Sequence, residues 1–254
     1  MAIENLSLKY FTGKKKDEGV DALVDVNITI NKGDFICLLG PSGCGKSTLL
    51  NIMAGLLEPT EGKIMMMGEE VKGVDWRRAV VFQTPTLYPW MTTHDNVAFG
   101  PTVRGIEKEE IEERTRKYLD LVGLGEFGNH KPYELSGGMR QRAALARVLV
   151  NDPYMILMDE PFGALDALTR TNMQMLIRDI WQKTDNTVFL ITHDVDEALT
   201  LGTRVMVMSS RPGRIINEFE LDFTYALENG DEDVRYTQDY IDLRKEILGK
   251  IQAQ

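Results

Sequence analysis

The stretch Gly40-Pro41-Ser42-Gly43-Cys44-Gly45-Lys46-Ser47-Thr48 has the residue types and spacing of a phosphate-binding loop, G-x-x-x-x-G-K-S. Glycines at 40, 43 and 45 let the backbone turn tightly, so that successive N–H groups face one concavity. A helix starting at the lysine would add its positive N-terminal dipole at the same point. Lys46 is long enough to reach the β- and γ-phosphates of a nucleotide, and the Ser47 hydroxyl can sit on Mg²⁺. A second place for chemistry is Asp159-Glu160, directly after the apolar run Tyr154-Met155-Ile156-Leu157-Met158. Two carboxylates at the end of a core strand are costly to bury without a cation, and the neighbouring phosphate loop points to Mg²⁺; the other reading is a purely structural pair. Asp159 would hold the metal, and Glu160 would be free to polarise an attacking water.

Other positions carry weaker signals. Leu135-Ser136-Gly137-Gly138-Met139-Arg140-Gln141-Arg142 opens a helix, with Ser136 as its N-cap and two glycines that leave backbone N–H groups free for an anion. Read alone, it is only a capped helix with a flexible entry. His193 tops an apolar strand, where it is either structural or within reach of a γ-phosphate. Tyr10 closes an early strand, where it could stack on an adenine ring or sit at the edge of a core. Leu87, Tyr88, Trp90 and Met91 lie in a proline-interrupted segment with Pro85 and Pro89, and form either a satellite core or a docking surface.

The elements that must position these groups follow from periodicity. Leu6, Leu8 and Tyr10, and then Val24, Val26, Ile28 and Ile30, alternate with polar residues, which predicts two half-buried strands packed beside a parallel core. Phe35–Leu39 reads as a buried strand, and Leu49, Leu50, Ile52 and Met53 follow at helical spacing. The phosphate loop therefore sits in a strand–loop–helix unit. Further strands are expected at 63–67, 79–82, 154–158, 187–192 and 205–208, with an edge strand at 215–221. Gly68-Glu69-Glu70 reads as a turn and Met65-Met66-Met67 as core filler. Helices are expected at 107–122, from Ser136 to about Val150, at 169–181 and at 236–252. In the last, Tyr240, Ile241, Leu248 and Ile251 lie on or near one face. Alternation of strands and helices, with polar residues at strand C-termini, describes a parallel α/β sheet that binds ligands at that edge.

The chain of 254 residues carries a net charge of −10, which argues against broad nucleic-acid binding. Lys14-Lys15-Lys16 reads as an exposed turn. Cys37 and Cys44 resemble no disulfide framework and fit a reducing cytosol. His94, His130 and His193 show no metal-ligand spacing. There is no secretory signal and no apolar run of membrane-spanning length, so work at a membrane would need a partner.

Together these stretches resemble the ATP-binding subunit of an ABC transporter. The resemblance rests on Gly40–Thr48, Gln83, Leu135-Ser136-Gly137-Gly138-Met139, Asp159-Glu160, Ala164-Leu165-Asp166, His193 and Tyr10. The chain departs from the family pattern at Met139, where Gln is commoner. The resemblance implies an α/β fold of the P-loop NTPase kind: a parallel core sheet, an antiparallel β subdomain and an inserted α-helical lobe. It implies one ATP-binding domain over 1–254, with the nucleotide-binding core at 1–83 and 151–210, the helical lobe at 84–150 and a C-terminal extension at 211–254. Two subunits would face each other head to tail around two ATP. Ser136, Gly137 and Gly138 of one would hold the γ-phosphate bound by the other. Glu160 would act as base or water-positioner, and His193 and Lys46 would act on the γ-phosphate. Ser47, Gln83 and Asp159 would hold Mg²⁺, and Tyr10, Gln83 and Asp166 would join the loop residues around the nucleotide. A membrane permease would dock near Tyr88–Trp90, with a solute-binding protein as indirect partner, at the cytoplasmic face of the inner membrane.

Leu87-Tyr88-Pro89-Trp90, Asp95-Asn96-Val97-Ala98-Phe99-Gly100 and Ser210-Arg211-Pro212-Gly213-Arg214 look like the nitrate, sulfonate and taurine importers. The competing reading is an ABC-type ATPase that moves no solute and acts on a protein or nucleic-acid complex. No long heptad segment interrupts 48–135, and the acidic balance disfavours nucleic acid. A small kinase or GTPase would share the phosphate loop but has no use for Leu135–Met139.

Overall fold

The computed structural model describes residues 1–11, 19–184, 186–228 and 231–254. The expected turn at Lys14–Lys16 lies outside them. The chain divides into two compact units, one formed by Met1–Asp75 with Thr187–Gln254, the other by Trp76–Asn186.

The first unit begins with β1 (Ala2–Phe11) and β2 (Gly19–Thr29), which pair antiparallel. Leu6, Leu8, Val26, Ile28 and Ile30 are buried, as their alternation requires. Asn5 and Asp25 interrupt that alternation: both have φ 49°, at positions where the register shifts. β3 (Phe35–Leu39) is buried along its whole length and leads through the phosphate loop into α1 (Lys46–Ala54). β4 (Glu61–Met66) pairs antiparallel with β1, and β5 (Glu69–Glu70) pairs with β4. Glu69 and Glu70 are therefore strand residues, and the turn lies at Met67-Gly68. Met67, at φ 54°, is 68% exposed, and Met65 and Met66 are half-buried, so this run does not fill the core. A hydrophobic run at the tip of a hairpin has no facing layer to bury it.

The second unit opens with β6 (Arg78–Val81), followed by α2 (Thr93–Val103) and α3 (Lys108–Leu121). α2 escapes a reading by periodicity because Gly100 and Pro101 lower its local propensity. Its Thr92 cap and buried Thr93, Asn96, Val97 and Ala98 secure it instead. α3, the helix expected at 107–122, buries Ile111, Thr115, Tyr118 and Leu119 along one stripe and carries the Glu110–Arg114 ion pair at 2.5 Å. α4 (Gly137–Leu149), β7 (Met155–Asp159), which runs parallel to β6, and α5 (Ala167–Thr184) complete the unit.

The chain then returns to the first unit with β8 (Thr187–Ile191), α6 (Val195–Leu201), β9 (Arg204–Met208) and β10 (Ile215–Glu220). β3 lies between β8 and β9, parallel to both, and β10 closes the edge antiparallel to β9. α7 (Phe223–Glu228) is too short to show a period, and a 3₁₀ turn follows at Glu232–Tyr236. α8 (Gln238–Gln252) buries Tyr240 and Ile247 most fully, whereas Ile241, Leu248 and Ile251 are only half-buried.

Candidate nucleotide site

The phosphate loop is shaped as much by what packs behind it as by its own glycines. Gly45 adopts φ 109° at the N-cap of α1, a left-handed conformation that disfavours any side chain. A Cβ there would also lie 2.9 Å from Leu23 Cδ2 and 3.0 Å from the Ala22 carbonyl, so the loop rests directly on β2. Gly213 presses on it from another direction: a Cβ at 213 would lie 2.3 Å from the Cys44 carbonyl oxygen. The Gly213 N–H donates to the Ala22 carbonyl at 2.9 Å, and the Val24 N–H donates to the Gly213 carbonyl at 3.1 Å. Arg211 donates from Nη2 to the Gly43 carbonyl at 3.3 Å. The other side is open, for a Cβ at Gly43 would meet nothing within 4 Å.

Within this cradle Lys46 is 7% exposed. Its Nζ donates to the carbonyls of Gly40 at 2.7 Å and Pro41 at 2.9 Å. A cation so little hydrated is met here by carbonyl dipoles and, at 3.9 Å, the Cys44 sulfur, and a phosphate would supply the compensating charge. Ser42 and Ser47 are exposed and Thr48 half-buried. The Tyr10 hydroxyl lies 3.3 Å from Thr48 Oγ1, and Tyr10 is 44% exposed, which places its ring at the first turn of α1 and outside the core. Both cysteines are free and buried; burial, and then the Glu197 carboxylate, push the Cys37 thiol well above its ordinary range.

β3 and β8 leave their sheet at the same edge, with Leu38 paired to Ile191, so Gly40 and His193 follow adjacent strand ends. His193 is exposed. Thr192 before it donates from Oγ1 to Glu197 at 2.5 Å, and Asp194 after it caps α6 by accepting from the N–H groups of Asp196 and Glu197.

The second unit holds the remaining group. β6 and β7 end side by side, with Val81 paired to Met158, so Gln83 and Asp159-Glu160 emerge from one edge. A Cβ at Gly163 would lie 3.4 Å from Gln83 Nε2 and 4.0 Å from Glu160 Oε2, so both side chains flank this glycine. Glu160 has φ 44°, a left-handed backbone that costs a residue with a side chain about 1–3 kcal/mol and that gathers at functional sites. The Gly163 N–H donates to the Glu160 carbonyl at 3.2 Å and closes the turn that holds it.

Asp166 is exposed and accepts from the Thr169 N–H at 3.0 Å; that bond, with help from the Thr169 hydroxyl, keeps its carboxyl below the usual range. Ser136 caps α4 by accepting from the Met139 N–H at 3.2 Å. Gly137 has open space where a Cβ would stand, while one at Gly138 would lie 2.5 Å from Thr169 Cγ2.

The Tyr88–Trp90 segment has a built support. Asn96 is fully buried. Its Oδ1 accepts from the Tyr88 N–H at 2.7 Å, and its Nδ2 donates to the carbonyls of Tyr88 at 3.1 Å and Thr92 at 2.9 Å. Arg147 donates to the Thr86 carbonyl at 2.7 Å, and Lys131 donates to the Trp90 carbonyl at 2.8 Å. Tyr88 packs against Trp90 and Phe99, with ring centroids 5.5 and 4.9 Å away. Trp90 stays 69% exposed on this rigid mount.

Sequence reasoning passed over Leu23 and Asp196, and met Asn96 and Gly213 only inside stretches that look like one importer group, with no structural role attached. The motif Arg211-Pro212-Gly213-Arg214 is legible as a turn, but nothing local says that it backs the phosphate loop.

The profile of the ABC transporter family matches residues 23–163. The taurine import ATP-binding protein TauB of Pelagibacter ubique is 49% identical over 249 residues, covering 98% of this chain and 93% of that protein. The protein of the same name from Ruegeria pomeroyi is 48% identical over 252 residues, covering 99% and 93%. Among solved structures, a dimeric ATP-binding cassette in a post-hydrolysis state, bound to ADP and Pi, is 33% identical with a TM-score of 0.74, covering 87% of this chain and 98% of that one. A glycine loop with a buried lysine on its own carbonyls, carboxylates at a strand end, and likeness along nearly the whole length lead to one conclusion: the chain belongs to the ABC transporter family.

Proposed function

We propose that this chain is the ATP-hydrolysing subunit of an importer for small sulfonate-type anions, of which taurine is the leading case. The observation that carries the enzymatic part is the buried Lys46 folded onto the Gly40 and Pro41 carbonyls of an otherwise open loop. Support for the cargo class comes from near full-length likeness to taurine import ATP-binding proteins. No helix among the described residues is long and apolar enough to cross a membrane, so the path for solute would lie in a separate permease.

In this reading the backbone N–H groups of residues 40–48 hold the phosphates, and Lys46 swings from its carbonyls onto the β- and γ-phosphates. Tyr10 stacks on adenine. The Ser47 hydroxyl, the Gln83 amide oxygen and the Asp159 carboxylate are hard oxygen donors, which suits Mg²⁺; bound there, the ion would neutralise phosphate charge. Glu160 accepts the proton of the attacking water or orients it, and His193 donates to the γ-phosphate. Ser136, Gly137 and Gly138, at a helix N-terminus, meet the γ-phosphate of a second copy, so that each copy completes the other's site. Asp166 follows the catalytic carboxylates at the start of α5 and lines the same interface. The Tyr88–Trp90 surface receives the permease, and a solute-binding protein delivers cargo to the permease. The work is done at the cytoplasmic face of the inner membrane.

The test replaces the gene with its Glu160→Gln form and follows labelled taurine uptake beside ATP binding and turnover of the purified chain. ATP binding should persist, with turnover and uptake lost and an ATP-bound dimer accumulating. Turnover at the unaltered rate would remove Glu160 from its role. Taurine uptake independent of this gene would move the cargo elsewhere.

A further inference from the structure

The mount of His193 is gripped from outside the nucleotide site. Thr192 Oγ1 donates to Glu197 at 2.5 Å and accepts from the Asp194 N–H at 3.0 Å. The backbone on both sides of His193 is thereby tied to α6, and a shift of that helix carries the imidazole with it. α6 spans seven residues, too few to hold a position by itself. At its far end Thr224 donates to the Gly202 carbonyl at 2.7 Å. At its near end Arg244 of α8 makes a bidentate pair with Asp196, Nε to Oδ1 at 2.8 Å and Nη2 to Oδ2 at 2.9 Å. The Tyr240 hydroxyl donates to the same carboxylate at 3.3 Å. Tyr240, packed on Phe223 with centroids 5.1 Å apart, and the fully buried Ile247 seat α8, while Asp196 registers α6 against it.

The same helix also reaches the back of the phosphate loop. Gln254, just past its end, accepts from the Ser210 N–H at 3.2 Å, and Arg211, next in the chain, donates to the Gly43 carbonyl. A helix of 15 residues, about 22 Å long, thus touches the support of His193 near one end and the brace of the phosphate loop at the other.

The geometry points to α8 as a strut that fixes His193 where it donates to the γ-phosphate, with Asp196 and Arg244 as positioning residues for hydrolysis. This rests on the reading of His193 given above. Asp196 and Arg244 are both partly exposed, at 51% and 42% of their side-chain surface, so their pair contributes alignment more than stability.

The test is a double-mutant cycle, Arg244→Ala, Asp196→Asn and both, with His193→Ala as reference, in the full chain. Each single variant should lower kcat about two- to fivefold, the scale of one exposed bidentate pair, with KM for ATP and the thermal midpoint unchanged. The double variant should lose no more than Asp196→Asn alone, because that change already removes the carboxylate that Arg244 and Tyr240 share. If His193→Ala abolishes turnover while Arg244→Ala leaves kcat unchanged, the strut is refuted and the site stands. Loss of kcat, ATP affinity and thermal midpoint together would make the pair a packing feature and likewise refute it. Full turnover in His193→Ala would overturn the role of His193, and the strut with it.

Discussion

Gly213→Ala puts a methyl group into the wall behind the phosphate loop. The new Cβ would stand 2.3 Å from the Cys44 carbonyl oxygen, 3.0 Å from Met208 Sδ and 3.2 Å from Leu23 Cδ2, where ordinary contact begins near 3.4 Å. The first of these atoms is backbone, so no rotamer change relieves it, and about 1 Å of displacement must come from the loop or from the turn at 209–214. The turn is held by paired hydrogen bonds to Ala22 and Val24, which makes the loop the more yielding side. Overpacking of this kind costs about 1–3 kcal/mol. Spent on a distorted cradle, that is roughly five- to 140-fold in ATP affinity, at about 1.4 kcal/mol per tenfold. Titration of ATP with Mg²⁺ by calorimetry measures it directly. Gly249→Ala is the control, because its Cβ meets nothing within 4 Å and it lies inside α8, where alanine is the better helix former by about 1 kcal/mol. Unchanged ATP affinity and thermal midpoint in Gly213→Ala would refute the claim that this turn shapes the loop.

Trp90→Ala should leave ATP affinity unaltered and stability within about 0.5 kcal/mol, since the ring is largely exposed. Co-purification with the membrane subunit should fail, and retained assembly would remove the docking role. Glu160→Gly should relieve the left-handed strain and raise unfolding free energy by about 1 kcal/mol in urea titrations while turnover disappears. A fall in stability would show that this backbone is not strained. Burial, and then the Asp196 carboxylate, push the Tyr240 hydroxyl well above its ordinary pKa. Its folded value exceeds its unfolded value near 10, so its contribution is complete below about pH 10 and is lost as pH rises towards the folded value. Tyr240→Phe should therefore be less stable than the parent at pH 8, where it lacks the bond to Asp196, with the gap narrowing by pH 11 in denaturant titrations. A gap that widens would reverse the assignment.

Much of the site could be read before any coordinates, because its chemistry is carried by contiguous residues. A buried strand, a glycine loop and a helix in succession leave Lys46 and Ser47 few places to be. An apolar strand that ends in Asp159-Glu160 must deliver both carboxylates to the sheet edge. The alternation in β1 and β2 and the stripe of α3 are equally local. Periodicity failed where tertiary packing overrides it, in α2 with Gly100-Pro101 and in the exposed hairpin tip at Met67.

The sequence by itself determined which groups can meet a nucleotide and on which elements they ride, since strand and helix periods act over a few residues. Only the tertiary structure decided what backs and grips those groups: Gly213 and Arg211 behind the phosphate loop, Asn96 under the Tyr88–Trp90 surface, α8 on the helix after His193. Arg211 and Gly43 lie 168 positions apart, and Arg244 and Asp196 lie 48 apart. Contacts across such separations depend on how whole elements pack, and packing leaves no period or spacing in the chain to be read.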